Sequence, residues 1–219
     1  MKRKREKGII IGIDLAGSEK RNTGFCIMKG MNVKTFIVHS DQEIFSILKK
    51  IKPKPKIIAI DAPLSLPFGR ESLEKRGPPH LRECDKELLR RKIKFFPLTL
   101  GPMRKLTARG IKLKKKLEKK GYTVIEVYPG GAQDMLGIAR KREEEKLMQG
   151  LRKIGIKGLN KKTTHDELDA VTAALVGKFY LEDNYLTFGK EEEGLIIMPP
   201  TKVHTKKVSQ RKKILHQLT

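Results

Sequence analysis

The chain has 219 residues, enough for one substantial core with an insertion or a tail but hardly for two full domains. Its 49 Lys and Arg against 25 Asp and Glu leave a formal net charge of +24, a surplus that points to a polyanionic partner, nucleic acid before an anionic membrane. Two isolated Cys, Cys26 and Cys84, give neither a zinc pattern nor a disulfide framework and fit a reducing cytosol. The basic start followed by a brief apolar run is cut short at Asp14 and is not expected to act as a signal peptide, and nothing approaches 18 apolar residues. The expectation is a cytoplasmic protein with no membrane association.

After a basic arm at residues 1–7, three strand-like segments follow at 8–14, 23–29 and 32–39. The first, Ile9-Ile10-Ile11-Gly12-Ile13-Asp14, is an unbroken apolar run of the kind a central parallel strand shows when both sheet faces are covered. The short link Lys29-Gly30-Met31-Asn32 suits a hairpin. Asp41 reads as the N-cap of an amphipathic helix with Ile44, Phe45, Ile47, Leu48 and Ile51 inward, closed by Pro53 and Pro55. A fourth strand, 56–61, again ends in a carboxylate, Asp61.

Residues 62–102 are rich in Pro and Gly around one helix at 80–92, and read as an ordered insertion or lid over a site. A Lys-dense helix at 103–120 ends at Gly121. The fifth strand, 122–128, is stopped by Pro129-Gly130-Gly131, and helices follow at 142–154 and 164–181. Thr164 with Glu167 forms a capping-box pattern on the last and most apolar helix. A strand-like run at 194–198 precedes a basic tail, 201–219, that carries Lys206, Lys207, Arg211, Lys212 and Lys213.

Ligands in open α/β sheets collect at the carboxyl ends of strands, so Asp14 and Asp61 arriving there together suggest a shared site that needs a cation to relieve their repulsion. Each Asp alone could simply start the next turn. Glu126 shares one side of its strand with Val124 and Tyr128, and so stands at an exposed edge or aims into a polar site. Asp166 and Asp169 are three apart on one helix face. Asp166 can complement the helix dipole, whereas Asp169 opens the apolar run and lies at the border of the core.

The segment order and the motifs Gly12-Ile13-Asp14-Leu15-Ala16-Gly17, Ile60-Asp61-Ala62-Pro63-Leu64, Arg82-Glu83-Cys84-Asp85, Glu126-Val127-Tyr128-Pro129 and His165-Asp166-Glu167-Leu168-Asp169-Ala170 resemble the DUF429 group of predicted nucleases within the ribonuclease H-like superfamily. The resemblance spans residues 8–200. It implies an α/β fold with a five-stranded mixed sheet ordered 3-2-1-4-5, the second strand antiparallel, and helices on both faces. It also implies a nuclease that holds two Mg²⁺ or Mn²⁺ ions through Asp14, Asp61, Glu126 and Asp169, with Asp14 bridging. The last motif is similar to that of Holliday-junction resolvases, where the Asp matching Asp169 is a metal ligand; those enzymes are dimers, although no interface stripe is visible here. His165, Asp166, Asp85 and Arg82 are accessory candidates.

Nucleic acid, DNA or RNA, is expected along Lys105, Arg109, Lys112, Lys114, Lys115, Lys116, Lys119 and Lys120 and the basic tail. A non-catalytic nucleic-acid binder on the same fold is the first alternative, but it has no use for carboxylates that repel phosphate. An actin- or sugar-kinase-like phosphotransferase is the second, and it needs a second domain and a nucleotide signature that the chain lacks.

Overall fold

The computed structural model describes residues 8–200. The basic arm and the tail, with Lys206, Lys207, Arg211, Lys212 and Lys213, lie outside the described residues. Strands β1 (Ile9–Asp14), β2 (Thr23–Lys29), β3 (Asn32–Val38), β4 (Ile57–Asp61) and β5 (Val124–Val127) pair in the order 3-2-1-4-5. β2 runs antiparallel to its neighbours, while β1, β4 and β5 are parallel. This is the order and direction expected of these five strands.

The sheet is wider than the five strands expected. A hairpin of β6 (Leu186–Lys190) and β7 (Gly194–Met198) extends the β5 edge, making seven strands in the order 3-2-1-4-5-7-6. Gly189 and Gly194 hold φ of 103° and 125° at the ends of that turn, where a side chain would be strained. Capping β5 this way leaves the short β6 as the edge.

Strand parity divides the core. Ile10, Ile57, Ala59, Ile125 and Val127 face α6 (His165–Leu181), whereas Ile9, Ile11, Ile13, Ile58 and Ile60 face the layer of α1 (Asp41–Lys50) and α3 (Gly101–Lys119). α2 (Glu83–Arg90) joins the second layer over Phe188, Ile196 and Met198. α4 (Pro129–Leu136) and α5 (Glu144–Ile154) flank α6. The first helix is capped by Ser40, not Asp41: Ser40 Oγ accepts from Glu43 N and the Glu43 carboxylate accepts from Ser40 N. Asp41 is drawn away to bind Arg109 and Lys116 of α3.

α6 is buried on nearly every side and lies with its backbone against the sheet. A Cβ on Gly12 would stand 1.9 Å from Ala170 O and 2.6 Å from Ala174 N, and one on Gly24 would stand 2.0 Å from Asp166 O. Only glycine allows that approach. The carboxyl ends of β1 and β4 therefore lie directly under the first turns of the helix that carries Asp166 and Asp169.

Candidate active site

Asp14 and Asp61 are direct partners across the β1–β4 ladder, on strands about 4.8 Å apart. Both share the parity of Ile10 and Ile57, so they leave the sheet on the α6 side. A cavity of about 630 Å³ opens at these strand ends and reaches both faces of the sheet, with Asp14, Asp61, His165 and Asp166 among its lining from one face and Glu126 from the other. Residues 62–102 supply much of the remainder, including Pro63, Arg82, Asp85, Phe95, Phe96 and Leu98, and α3 adds Met103 and Leu106.

Glu126 is in a different position. It pairs with Ile60 in the β4–β5 register, hence its side chain leaves the opposite face from Asp14 and Asp61. There it accepts two hydrogen bonds from Arg82, from Nη1 at 2.8 Å and Nη2 at 2.7 Å, and a third from the Leu64 amide at 2.7 Å. Arg82 also donates to Asp85 from Nη2 at 3.0 Å and Nε at 3.2 Å, and to Ser65 Oγ at 3.1 Å. Arg82 is 1 % exposed. Burial works against its charge, yet the Glu126 and Asp85 carboxylates outweigh that and hold the guanidinium well above its ordinary pKa. Arg82, Asp85 and Glu126 thus form one buried ionic group in the cavity wall that ties α2, β5 and the loop after β4 together.

Asp169 is buried on α6, accepts a 2.6 Å hydrogen bond from Gln133 Nε2 of α4, and does not line the cavity. Gln133 Nε2 also donates to Thr172 Oγ1, which leaves Gln133 Oε1 without a hydrogen-bond partner. Asp166, one turn earlier, does line the cavity, with His165 Nδ1 2.8 Å from its Oδ1. Of the four carboxylates expected to converge, Asp14, Asp61 and Glu126 line the one cavity and Asp169 does not; among the described residues, no three His, Cys, Asp or Glu side chains are grouped so as to hold one metal ion. Strand parity turns Glu126 to the face opposite Asp14 and Asp61, and Asp169, one turn deeper along α6, is engaged in the core by Gln133.

The α3 cations also divide. Lys105, Lys112, Lys115, Lys116, Lys119 and Lys120 are exposed, and Lys114 leans on Glu118. Arg109 is bound inside, with Nε on Asp41 at 3.0 Å and its Nη groups on the Ala16 and His39 carbonyls at 2.8 and 2.7 Å. It joins α3, α1 and the loop after β1.

Several lining residues carry no sequence signal of their own. Arg21, Phe95, Phe96 and Tyr128 reach the cavity from loops or a strand end. The half-buried Tyr128 phenol is pushed above its ordinary pKa by desolvation, with Arg140 opposing and Asp61 adding to the shift, and it donates to the Lys94 carbonyl.

The donors at the floor are all carboxylate oxygens, the type that hard cations such as Mg²⁺ and Mn²⁺ take. Mg²⁺ keeps several waters and is held by one or two carboxylates plus substrate phosphate. Two adjacent Asp and a third acid in the same cavity fit that demand, and they do not fit a preformed all-protein cage.

An α/β protein with an acidic cavity at the carboxyl ends of its central parallel strands is the class that fold and site define. The chain belongs to the family described as "Protein of unknown function (DUF429)", whose model matches residues 12–194. Among solved structures it is similar to RuvC of T. thermophilus in complex with a Holliday junction substrate, at 14% identity and a TM-score of 0.43 over 80% of this chain and 96% of that one. Another T. thermophilus RuvC structure matches at 12% identity and a TM-score of 0.43, with the same coverage. Comparison with curated proteins finds no match.

Proposed function

We propose that the protein is a divalent-metal-dependent nuclease that hydrolyses phosphodiester bonds. The observation that carries this reading is the in-register pair Asp14 and Asp61 at the floor of a cavity, in a chain of net charge +24. Carboxylates gathered where phosphate must come are unfavourable unless a cation sits between them. Asp14 and Asp61 would hold Mg²⁺ or Mn²⁺ together with substrate phosphate, with Asp166 facing the same cavity from α6 and Asp169 held behind it by Gln133. When bound, such ions supply Lewis acidity to the phosphate and lower the pKa of water.

The chain's own groups do the rest. The exposed Lys side chains of α3 bind backbone phosphates and bring the strand to the cavity. His165, beside Asp166 at the cavity, would pass a proton to or from the reacting oxygen. Arg82 orients no phosphate, because Glu126 and Asp85 take its donors; it fixes the wall against which substrate rests. A panel of labelled single-stranded, duplex and branched substrates with Mn²⁺ tests the reading. Cleavage abolished by Asp14→Asn and by chelation is expected, and cleavage that survives Asp14→Asn would overturn it.

A further inference from the structure

The cavity has two unlike walls. Its floor is acidic, whereas the rim from the segment before α3 is apolar and aromatic: Phe96 is 69% exposed, Phe95 is half-buried beside it, and Leu98, Met103 and Leu106 continue the surface inward. An exposed Phe next to half-buried aromatic surface at a cavity mouth is a contact site rather than scattered surface. The rim is fixed from both sides. Tyr128 Oη and Arg140 Nη1 donate to the Lys94 carbonyl, and Leu98 is buried at 2% exposure.

A ligand that was phosphate alone would leave this wall unused, and an apolar ligand would leave the acids unused. A nucleotide has both parts: a flat apolar base and a phosphate. Deepening the nuclease reading and resting on its nucleic-acid partner, we propose that the cavity takes one unstacked nucleotide, its base against Phe95 and Phe96 and its phosphate toward the Asp14 and Asp61 floor. The substrate class is therefore single-stranded or locally unpaired nucleic acid. In a continuous duplex the base faces are covered by their neighbours and only edges show in the grooves, so an aromatic face can meet a base only after unstacking. The volume of about 630 Å³ falls among pockets for single small ligands, roughly 300 to 1,000 Å³. Beyond Phe95 and Phe96 the one further aromatic among the lining residues is Tyr128, whose hydroxyl is engaged by the Lys94 carbonyl, so the contact reads one base and not a track.

The test uses the full chain and a short oligodeoxynucleotide carrying 2-aminopurine, whose fluorescence is quenched on stacking, with Ca²⁺, a hard cation that takes carboxylate oxygens, in place of Mg²⁺ or Mn²⁺. Single-stranded probe should bind with quenching. Phe96→Ala should weaken it by roughly 5- to 150-fold, the range of base–aromatic stacking, while Phe96→Trp restores it and duplex affinity, carried by the α3 lysines, stays unchanged. Phe96 is exposed, so an unchanged melting temperature verifies that the variants are folded. Single-strand binding indifferent to Phe96→Ala, or single-strand and duplex binding lost alike, would overturn the base pocket. Quenching and Phe96 dependence without any Mn²⁺-dependent cleavage would instead overturn the nuclease reading and leave the nucleotide pocket standing.

Discussion

Replacing Arg82 with Met removes the one cation in the buried group of the cavity wall. Glu126 and Asp85, at 6% and 4% exposure, would then face each other without a counter-charge, and Ser65 Oγ and both carboxylates would lose donors. Breaking a buried ion pair by removing one partner is worth about 3 to 5 kcal/mol. For a domain of this size each kcal/mol moves Tm by roughly 2 to 4 °C. The expected drop is therefore about 6 to 20 °C in calorimetry or thermal CD, a large share of the ~5 to 15 kcal/mol that holds a domain together. Adding Glu126→Gln and Asp85→Asn to Arg82→Met should recover much of it, because the uncompensated charges are gone. Glu126→Gln by itself should lower Tm yet leave Mn²⁺ affinity by titration calorimetry unchanged. An Arg82→Met protein within ~2 °C of wild type, or a Glu126→Gln protein that loses Mn²⁺, would refute the assignment of this group to structure.

Gly12→Ala drives a methyl into the backbone of α6 at Ala170, so the denaturant midpoint should fall by the equivalent of about 1 to 3 kcal/mol or more with m unchanged. The Glu43 carboxylate is held below its ordinary pKa, first by the backbone amides of His39 and Ser40. A depressed folded pKa stabilises above the unfolded value and is lost as pH falls through the folded one, so Glu43→Gln should lower Tm at neutral pH and converge with wild type below about 4.5. Changing Lys112, Lys115 and Lys119 to Gln should flatten the slope of log affinity against log salt by up to roughly 0.7 per lost single-strand phosphate contact; an unaltered slope would place the binding face elsewhere.

Local chemistry made most of the framework readable. The apolar runs of β1 and β4 announce buried parallel strands, and Thr164 with Glu167 forms the capping box on α6 as its spacing implies. α4 was hidden because Pro129-Gly130-Gly131 resembles a stop, yet Pro is at home in a helix's first turn and Gly131 is needed where Tyr128, Ile93 and Met198 press in. β6 is short, includes Gly189 and lies on the edge, so it leaves little periodic signal. Ser40 with Glu43 three residues on was a visible cap signature beside the equally eligible Asp41. For the site, the two strand-end Asp were legible as a pair, but their relation to Glu126 was not. Parity fixed which residues share a side of β5, while which side faces Asp14 depends on a register between strands more than sixty residues apart. Arg109 and Asp41 have the same problem, since their pairing is purely tertiary.

The contact of α6 with Gly12 and Gly24 has a bearing on how this family can vary. Most core contacts are between side chains, which can exchange volume with one another and drift over many substitutions. Here the helix rests on main chain, whose dimensions no substitution alters, so the height of α6 above the strand ends is insulated from repacking elsewhere. That insulation is bought with intolerance at two positions, and the surrounding shell of Ala170, Ala173, Ala174 and Gly177 is left free of long side chains that would wedge the layers apart. The loops bordering the cavity can diversify around a floor whose spacing is inherited as backbone geometry.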